Sequence, residues 1–267
     1  MSFETDRARR LSEYASKIAH HFERSLQNSS ATPTPLALYR SLLASAKESS
    51  ITIISIGFLT NLAALLSTPS DADSPQTGRD VVASKVKELV VMGGIYPDGG
   101  WEFNFAGADP SATKAVINEW PRNVPITFAG LELGRDILSG ARLPELAPQD
   151  SPILAAYQWY VGRCRTARES WDPLAVLFGA IGLGSLPDKF DTAWRNRGPV
   201  FAYGNKRGYN HVRADGTNEW VDDAGVTNQH WLAIAEGWQN ESVAALLDEL
   251  LASSPPDRKE QVGRDEL

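Results

Sequence analysis

KELVVMGGIYPDGGWEFN, residues 87–104, is the stretch that decides the fold. A short valine-rich apolar run, Leu89–Met92, lies between charged residues and Gly93-Gly94, which predicts a buried strand that ends in a turn. The loop that follows is rich in glycine and carries Glu102 and Asn104. Glycine lets a backbone approach a ligand closely, and the carboxylate and the amide offer acceptors and donors. Because open α/β sheets bind ligands at the carboxyl ends of their strands, this loop is a candidate ligand site.

Strands and helices alternate on both sides of this stretch. Ile51–Ile56 is β-branched at nearly every position and apolar on both faces, as in a strand buried in a parallel sheet. Pro125–Leu131 is predicted as a third strand, and helices are predicted between the strands at Thr60–Leu66 and from Asp109-Pro110 to about Trp120. The alternation implies right-handed crossovers. The predicted fold is therefore α/β, an open, mainly parallel, Rossmann-like sheet with flanking helices.

The remaining segments complete one predicted domain, residues 1–251. Helices are predicted at Leu11–Leu26, Leu36–Ala46, Ile153–Arg165, Leu174–Ile181 and Asn240–Leu251, with a linker at Pro144–Pro152. From Val200 the pattern changes to short strands and turns, which predicts a small C-terminal hairpin region. Residues 252–267 form a charged tail that is expected to be disordered.

Composition excludes several classes of function. The chain has 267 residues, 42 % of them hydrophobic and 22 % charged, which is ordinary for a soluble globular protein. A net charge of −7 without a basic run argues against nucleic acid as a partner. The only cysteine, Cys164, rules out an intrachain disulfide and nearly excludes a Cys-based zinc site. With no apolar run of about 18 residues and no leader-like start, we expect no membrane partner and a cytoplasmic location, in which the final RDEL does not act as a retention signal.

Three polar positions fall at the ends of predicted elements: the turn around Ile56, the loop from Glu102 to Asn104, and Asp172, which precedes a predicted helix. Hard cations take carboxylate and backbone carbonyl oxygens, so the three positions are candidates for a metal or ligand site. A helix-capping Asp172 and a structural glycine loop explain the same residues. Spacing alone does not decide between the two interpretations.

Three segments in order resemble the inosine-uridine-type nucleoside hydrolase family. They are ITIISIGFLTNLAALL (51–66), KELVVMGGIYPDGGWEFNFAGADPSAT (87–113) and SWDPLAV (170–176). More narrowly, the W-E-F-N loop and S-W-D-P resemble the microbial and fungal branch of that family. The resemblance implies an α/β enzyme that binds one calcium ion and cleaves the N-glycosidic bond of ribonucleosides.

The resemblance also implies roles for individual residues. Ile56 stands where the family supplies a backbone carbonyl to the metal, and Asp172 where it supplies a carboxylate. Glu102 and Asn104 stand where the family hydrogen-bonds the ribose hydroxyls. Trp171 stands where many members have a histidine that protonates the leaving group; tryptophan can stack on a base but has no titratable proton to give. No catalytic residue is assigned.

The family opens with a strand carrying D-x-D-x-x-x-D-D, whose aspartates hold the calcium and supply a general base, and these 267 residues contain no such motif. We therefore expect an N-terminally truncated version of the fold that binds calcium weakly or not at all. It would have lost N-ribosyl hydrolysis but kept a pocket for a nucleoside-like or other small ligand, and another reaction could reuse that pocket. The alternatives are an active hydrolase whose metal-binding segment is missing from this chain, and a non-catalytic subunit that pairs with a full-length relative.

Loss of the first strand would also leave Ile51–Ile56 with an open edge. This strand contains no charge and no proline, the usual protections of a sheet edge. Either the helix Leu11–Leu26 or a second copy of the chain would have to cover it. We expect a homodimer that uses this edge.

Overall fold

The computed structural model describes residues 14–23, 26, 28–71, 74–162, 165–188 and 190–253. The chain forms two compact units. The larger unit comprises the described residues of Leu26–Ile137 and Glu169–Asn240, and the smaller one comprises those of Met1–Ser25, Leu138–Arg168 and Glu241–Leu267. Leu11, Cys164 and all but the first two residues of the predicted disordered tail lie outside the described residues. The single domain at residues 1–251 stays a prediction.

The helices and strands are as follows. The helices are α1 (14–21), α2 (Pro35–Ser45), α3 (Thr60–Leu66), α4 (Gly78–Lys85), α5 (Phe103–Ala106), α6 (Pro110–Glu119), α7 (Leu131–Arg135), α8 (Leu143–Leu146), α9 (Pro152–Val161), α10 (Trp171–Ile181), α11 (Thr192–Arg195) and α12 (Asn240–Ala252). The strands are β1 (Ile51–Ser55), β2 (Val86–Met92), β3 (Ile126–Ala129), β4 (Leu138–Ser139), β5 (Arg168–Glu169), β6 (Phe201–Tyr203), β7 (Tyr209–Val212), β8 (Asn218–Val221) and β9 (Gln229–Ile234). Within the described ranges, no helix is both long and apolar enough to cross a membrane.

A five-stranded sheet in the order β1-β2-β3-β9-β6 is the centre of the larger unit. The first four strands are parallel, with Ile53 opposite Leu89, Val91 opposite Phe128 and Phe128 opposite Trp231, and only β6 is antiparallel. The predicted mainly parallel α/β sheet is confirmed. β1 forms one edge of the sheet, as expected from the sequence.

Two layers of helix cover the sheet. On one face Ile53, Leu89, Val91 and Phe128 join a buried core with apolar residues of α3, α4 and α6. Helix α10 packs over β1, β2 and β3 from the other face. Gly179 lets α10 approach closely, because a Cβ at this position would lie 2.4 Å from the end of the Ile54 side chain. Because helices cover both faces of the sheet, β1 and β2 need apolar side chains on both faces, as their sequences predict.

The region after Val200 differs from the prediction of a hairpin region. β7 and β8 do form an antiparallel hairpin, with Asn210 opposite Trp220. β6, which lies in the predicted hairpin region, instead closes the far edge of the central sheet. β9, Gln229–Ile234, follows that region, was not predicted as a strand, and runs parallel to β3. Because a short strand carries no local mark of its partner, only the long-range pairing decides its place.

Helix boundaries depart from the prediction in four places. Helix α9 ends at Val161 rather than Arg165. Helix α1 ends at residue 21 rather than Leu26, although the Phe22 amide still donates to the Ile18 carbonyl. The predicted linker Pro144–Pro152 contains part of α8. Helix α10 begins at Trp171, three residues before the predicted Leu174. The reason is the same in the last two cases: proline is tolerated in the first turn of a helix, where its missing N–H has no partner in any case.

The smaller unit has its own apolar cluster of Leu143, Ala147 and Leu154. Beside it, the buried carboxylate of Asp248 on α12 accepts hydrogen bonds from the backbone amides of Gly140 and Arg142. This aspartate fixes the turn between β4 and α8.

Candidate functional site

Glu102 is the centre of the loop that follows β2. Its side chain is only 3 % exposed. One carboxylate oxygen, Oε2, accepts hydrogen bonds from the amides of Gly94 and Phe105, both at 3.2 Å, and Oε1 accepts from the amide of Asn104 at 2.9 Å. Glu102 is therefore the N-cap of α5 and at the same time the brace that ties this helix to the end of β2.

Burial and hydrogen bonding act on Glu102 in opposite directions. Burial raises the pKa of its carboxyl, and the hydrogen bonds from backbone amides partly oppose that rise. Of the roughly four lone-pair positions on a carboxylate, three are occupied by these amides. The Phe103 amide also interacts with this carboxylate, so backbone amides surround it.

The glycines of the loop serve contacts inside the protein. Gly93 lies against the ring of Phe105, where a Cβ would come within 2.3 Å of the ring. Gly99 has a φ of +75° and lies against the backbone carbonyl of Asn218. The sequence suggested that glycine leaves room for a ligand; at these two positions the neighbour is the folded chain itself.

Asn104 is held by the residue that ends β2. Its Nδ2 donates to the Met92 carbonyl at 3.2 Å and lies 3.0 Å from the Met92 sulfur. Within the described residues, its Oδ1 accepts no hydrogen bond. Asn104 therefore presents an acceptor at the edge of the sheet.

Trp171 is linked to Glu102 through three successive hydrogen bonds. Gly94 donates its amide to Glu102, the Gly94 carbonyl accepts from the Leu131 amide at 2.9 Å, and the Leu131 carbonyl accepts from Trp171 Nε1 at 2.8 Å. The backbone of Trp171 packs against Gly134, where no Cβ would fit. The indole N–H is thus committed to the protein.

The loops and helix starts that follow β1, β2 and β3, together with the start of α10 that packs against α7, form one edge of the sheet, here called the carboxyl rim. Ile56 follows β1 directly and is 44 % exposed. Asp172 lies in the first turn of α10 and is half-buried, which corrects the prediction that it precedes the helix. The structure brings all five predicted site residues, Ile56, Glu102, Asn104, Trp171 and Asp172, to this rim.

Three exposed aromatic side chains lie on the same rim. Phe58, Trp101 and Phe103 are 41 %, 58 % and 59 % exposed. The ring of Phe103 lies 5.5 Å from that of Phe58 and 6.5 Å from that of Trp101, measured between centroids. The sequence marks the two aromatic residues that flank Glu102, but nothing in it points to Phe58. We call these three residues the aromatic cluster.

Two further polar residues support the rim and were missed in the sequence. Asn218 in β8 exchanges hydrogen bonds with both backbone groups of Ile95, at 3.0 and 3.1 Å, across 123 residues of chain. Glu132 Oε2 accepts from the Tyr96 amide at 3.1 Å, and burial raises the pKa of this carboxyl. Neither contact has a local sequence signal, because each partner lies on a different element.

A family model described as inosine-uridine preferring nucleoside hydrolase matches residues 10–201. The chain belongs to this nucleoside hydrolase family. Among solved structures it is similar to a plant nucleoside hydrolase, the PpNRh1 enzyme, with a TM-score of 0.60 and 18 % identity over 90 % of this chain and 73 % of that one. It is also similar to the purine-preferring ribonucleoside hydrolase from Gardnerella vaginalis, with a TM-score of 0.52 and 15 % identity over 82 % and 67 % of the two chains. At these identities the likeness establishes the fold. None of the curated proteins matches this nucleoside hydrolase homologue.

Nucleoside hydrolases of this family generally depend on calcium. Calcium takes about six to eight oxygen ligands. Among the residues that the structure describes, no three or more His, Cys, Asp or Glu side chains are grouped so that they could hold a metal ion. Asp172 and the Ile56 carbonyl are at the rim, but this donor set does not fit calcium, and no chemical step is derived through the ion.

Proposed function

We propose that this chain binds a nucleoside-like small molecule at the carboxyl rim and does not by itself hydrolyse its N-glycosidic bond. The observation that carries the proposal is the aromatic cluster beside the acceptors of Glu102 and Asn104. A nucleoside offers an aromatic base to stack on exposed rings, and stacking on aromatic side chains contributes about 1–3 kcal/mol per base. Its ribose offers hydroxyl donors. The W-E-F-N and S-W-D-P motifs support placing this chain in the microbial and fungal branch of the family.

The remaining acceptors limit how ribose would bind. Backbone amides surround the carboxylate of Glu102, and Asn104 has its Oδ1. Asn104 would accept one ribose hydroxyl hydrogen, and the adjacent hydroxyl would have to share the carboxylate of Glu102 with those amides. Trp171 adds a ring face but no donor. Binding therefore depends on two acceptors and on stacking, without a charged donor among these residues.

The proposal of binding without hydrolysis rests on the chemistry of the same residues. Glycosidic hydrolysis needs a base for the attacking water, and general-base catalysis contributes about 10²–10⁴-fold. The carboxylate of Glu102 is buried and bound to three amides, so it does not serve as that base. Asp172 would be the remaining carboxylate of the predicted set.

Titration calorimetry with inosine and with uridine tests the binding. We expect Phe103→Ala to weaken binding by about tenfold or more, the equivalent of 1.4 kcal/mol. Leu42→Ala is the matched control, because Leu42 is a similarly exposed apolar residue, at 58 %, on α2. Equal affinities of the parent and both variants would refute the aromatic cluster as the site.

A release assay for free ribose, with and without calcium, tests the absence of hydrolysis. We expect no turnover, and no calcium binding tighter than about millimolar, the weak end of the usual range. Turnover of about 1 s⁻¹ or faster that Asp172→Ala abolishes would identify an active hydrolase instead.

The position of β1 at the edge of the sheet supports a second proposal, which concerns assembly. β1 carries no charge and no proline and ends the sheet. We propose a homodimer in which this edge pairs with its own copy around a two-fold axis. Sedimentation at micromolar concentration should give a dimer with slow amide exchange at residues 51–55. A monomer would refute the homodimer, and slow exchange in that monomer would mean that the chain covers its own edge.

A further inference from the structure

A second cavity lies at the opposite, amino end of the sheet. It has a volume of about 560 Å³, within the range of about 300–1,000 Å³ that small-molecule sites occupy. Its walls come from the end of α6, the start of β3 and β9, strand β7 and the loop after β8, all within the larger unit. We call it the amino-end cavity. It is separate from the carboxyl rim, because the parallel strands begin at one and end at the other.

Three amide side chains hold the walls of the cavity in place. Asn118 exchanges hydrogen bonds with both backbone groups of Val212, at 2.9 and 3.0 Å. Asn228 Nδ2 donates to the Arg122 carbonyl at 2.8 Å. Gln229 Oε1 accepts from the Asn210 amide at 3.0 Å. These bonds join the helix, the hairpin and the sheet, so the cavity exists before any ligand arrives.

Four further polar side chains of the lining can each donate a hydrogen bond to a ligand. Within the described part of the chain, the guanidinium of Arg122, the hydroxyl of Tyr209, the imidazole of His211 and the amide nitrogen of Gln229 make no hydrogen bond. Trp120, another lining residue, is 5 % exposed, and its buried Nε1 also has no partner among the described residues. The indole of Trp120 is therefore part of the cavity wall, and its N–H signal can report on what occupies the cavity.

Negative charge on the lining is limited to Asp223. Its Oδ1 accepts from the Gly225 amide at 2.8 Å and so holds its own turn. Arg207 forms a bidentate ion pair with Asp222, at 2.6 and 2.7 Å, and also interacts electrostatically with Asp223. The positive charge of Arg122 has no such counterpart in the described chain.

We propose that the amino-end cavity is a binding site for a small organic anion, whose carboxylate or phosphate group binds Arg122. The planar guanidinium presents parallel N–H donors that match two oxygens of either group. Tyr209, His211 and Gln229 would donate to further oxygen atoms of the same molecule. A ligand rich in hydrogen-bond acceptors suits this lining, whereas the positive charge of Arg122 would repel a cation.

Two probes test the site on the full chain: inorganic phosphate and citrate, each titrated against sodium chloride at equal ionic strength. Nitrogen-15 NMR follows the indole N–H signals, and Trp120→Phe identifies the signal of Trp120. We expect a saturable shift of the Trp120 signal with at least one probe. The probe that shifts it tells whether the site prefers a phosphate or a carboxylate.

Arg122→Gln should weaken binding of the effective probe by about tenfold or more, the effect of losing one charge-assisted hydrogen bond. Arg79→Gln is the matched control, because it removes the same charge from an exposed position on α4. Unchanged melting temperatures would show that both variants fold, as exposed side chains permit. No saturable shift with either probe would refute the site. Equal weakening in both arginine variants would indicate an adventitious ion only.

Discussion

Replacement of Glu102 by alanine tests whether this residue braces the fold as well as facing the ligand site. The substitution leaves the amides of Gly94, Asn104 and Phe105 without their acceptor, all close to the buried end of β2. Hydrogen bonds to a charged group contribute about 1.5–3 kcal/mol each, and loss of an N-cap costs about 0.5–2 kcal/mol. Burial of the carboxylate offsets part of the sum, as its raised pKa indicates. We therefore expect Glu102→Ala to lower the free energy of unfolding by about 2–4 kcal/mol.

Thermal unfolding and urea titration measure this loss. At about 2–4 °C per kcal/mol for chains of this size, the melting temperature should fall by roughly 5–15 °C. Glu102→Gln keeps an acceptor oxygen but turns an NH₂ group toward one of the amides, so it should fall between the parent and the alanine variant. Glu119→Ala, at an exposed glutamate at the end of α6, is the matched control and should change stability by less than about 0.5 kcal/mol. If Glu102→Ala melts within about 2 °C of the parent, the three hydrogen bonds contribute little to stability, and the role of Glu102 is confined to ligand binding.

Three other substitutions test the interior of the sheet and the support of the rim. Burial raises the pKa of the Glu88 carboxyl, although Thr127 donates a hydrogen bond to it at 2.5 Å. The folded chain therefore holds this proton at a higher pH than the unfolded chain does. The stability of the fold then falls as the pH rises from about 4.3, the unfolded value, toward the raised pKa. The stability of Glu88→Gln relative to the parent should therefore increase from pH 4 to pH 8 in urea titrations. If the difference in unfolding free energy between the two proteins stays constant over this range, the raised pKa is contradicted. Trp171→Phe leaves the Leu131 carbonyl without its donor and should cost about 1 kcal/mol by thermal unfolding, whereas no loss would mean that water replaces the indole. Asn218→Ala removes two bonds to the backbone of the loop after β2 and should cost about 2–3 kcal/mol, with increased amide exchange in that loop; unchanged exchange would refute the support.

Local sequence patterns predicted the elements that local forces determine. Helix α3 has the predicted bounds, and Asp109 caps α6 through its bond to the Ala112 amide at 3.0 Å, as Asp-Pro at a helix start indicates. The position of Glu102 in a loop after a buried strand followed from the valine run and the glycines. These features depend on neighbours within a few residues.

The parts that were missed depend on distant partners. β9 lies beside β3 because its apolar residues complete the sheet, but a short apolar strand has the same pattern in a hairpin. Asn218 reaches Ile95 across 123 residues, and no spacing in the sequence relates the two. Phe58 is exposed beside Phe103 only because β1 and β2 are neighbours in the sheet. The candidate residues on the rim were thus predicted one by one, whereas their shared hydrogen bonds were not.

These shared bonds couple ligand binding at the rim to the stability of the loop. The backbone amides of Gly94, Asn104 and Phe105 donate to Glu102, and the Phe103 amide also interacts with it, so a ribose hydroxyl would approach a carboxylate that is already fixed. The indole of Trp171 is fixed through Leu131 and Gly94 to the same carboxylate. A ligand would therefore meet acceptors and an aromatic surface that need little ordering, which lowers the entropic cost of binding. Loss of Glu102 should remove the acceptor and also release the helix start that carries Phe103. For this reason a binding defect in Glu102→Ala has to be compared with the stability of that variant, while Phe103→Ala isolates the contribution of stacking.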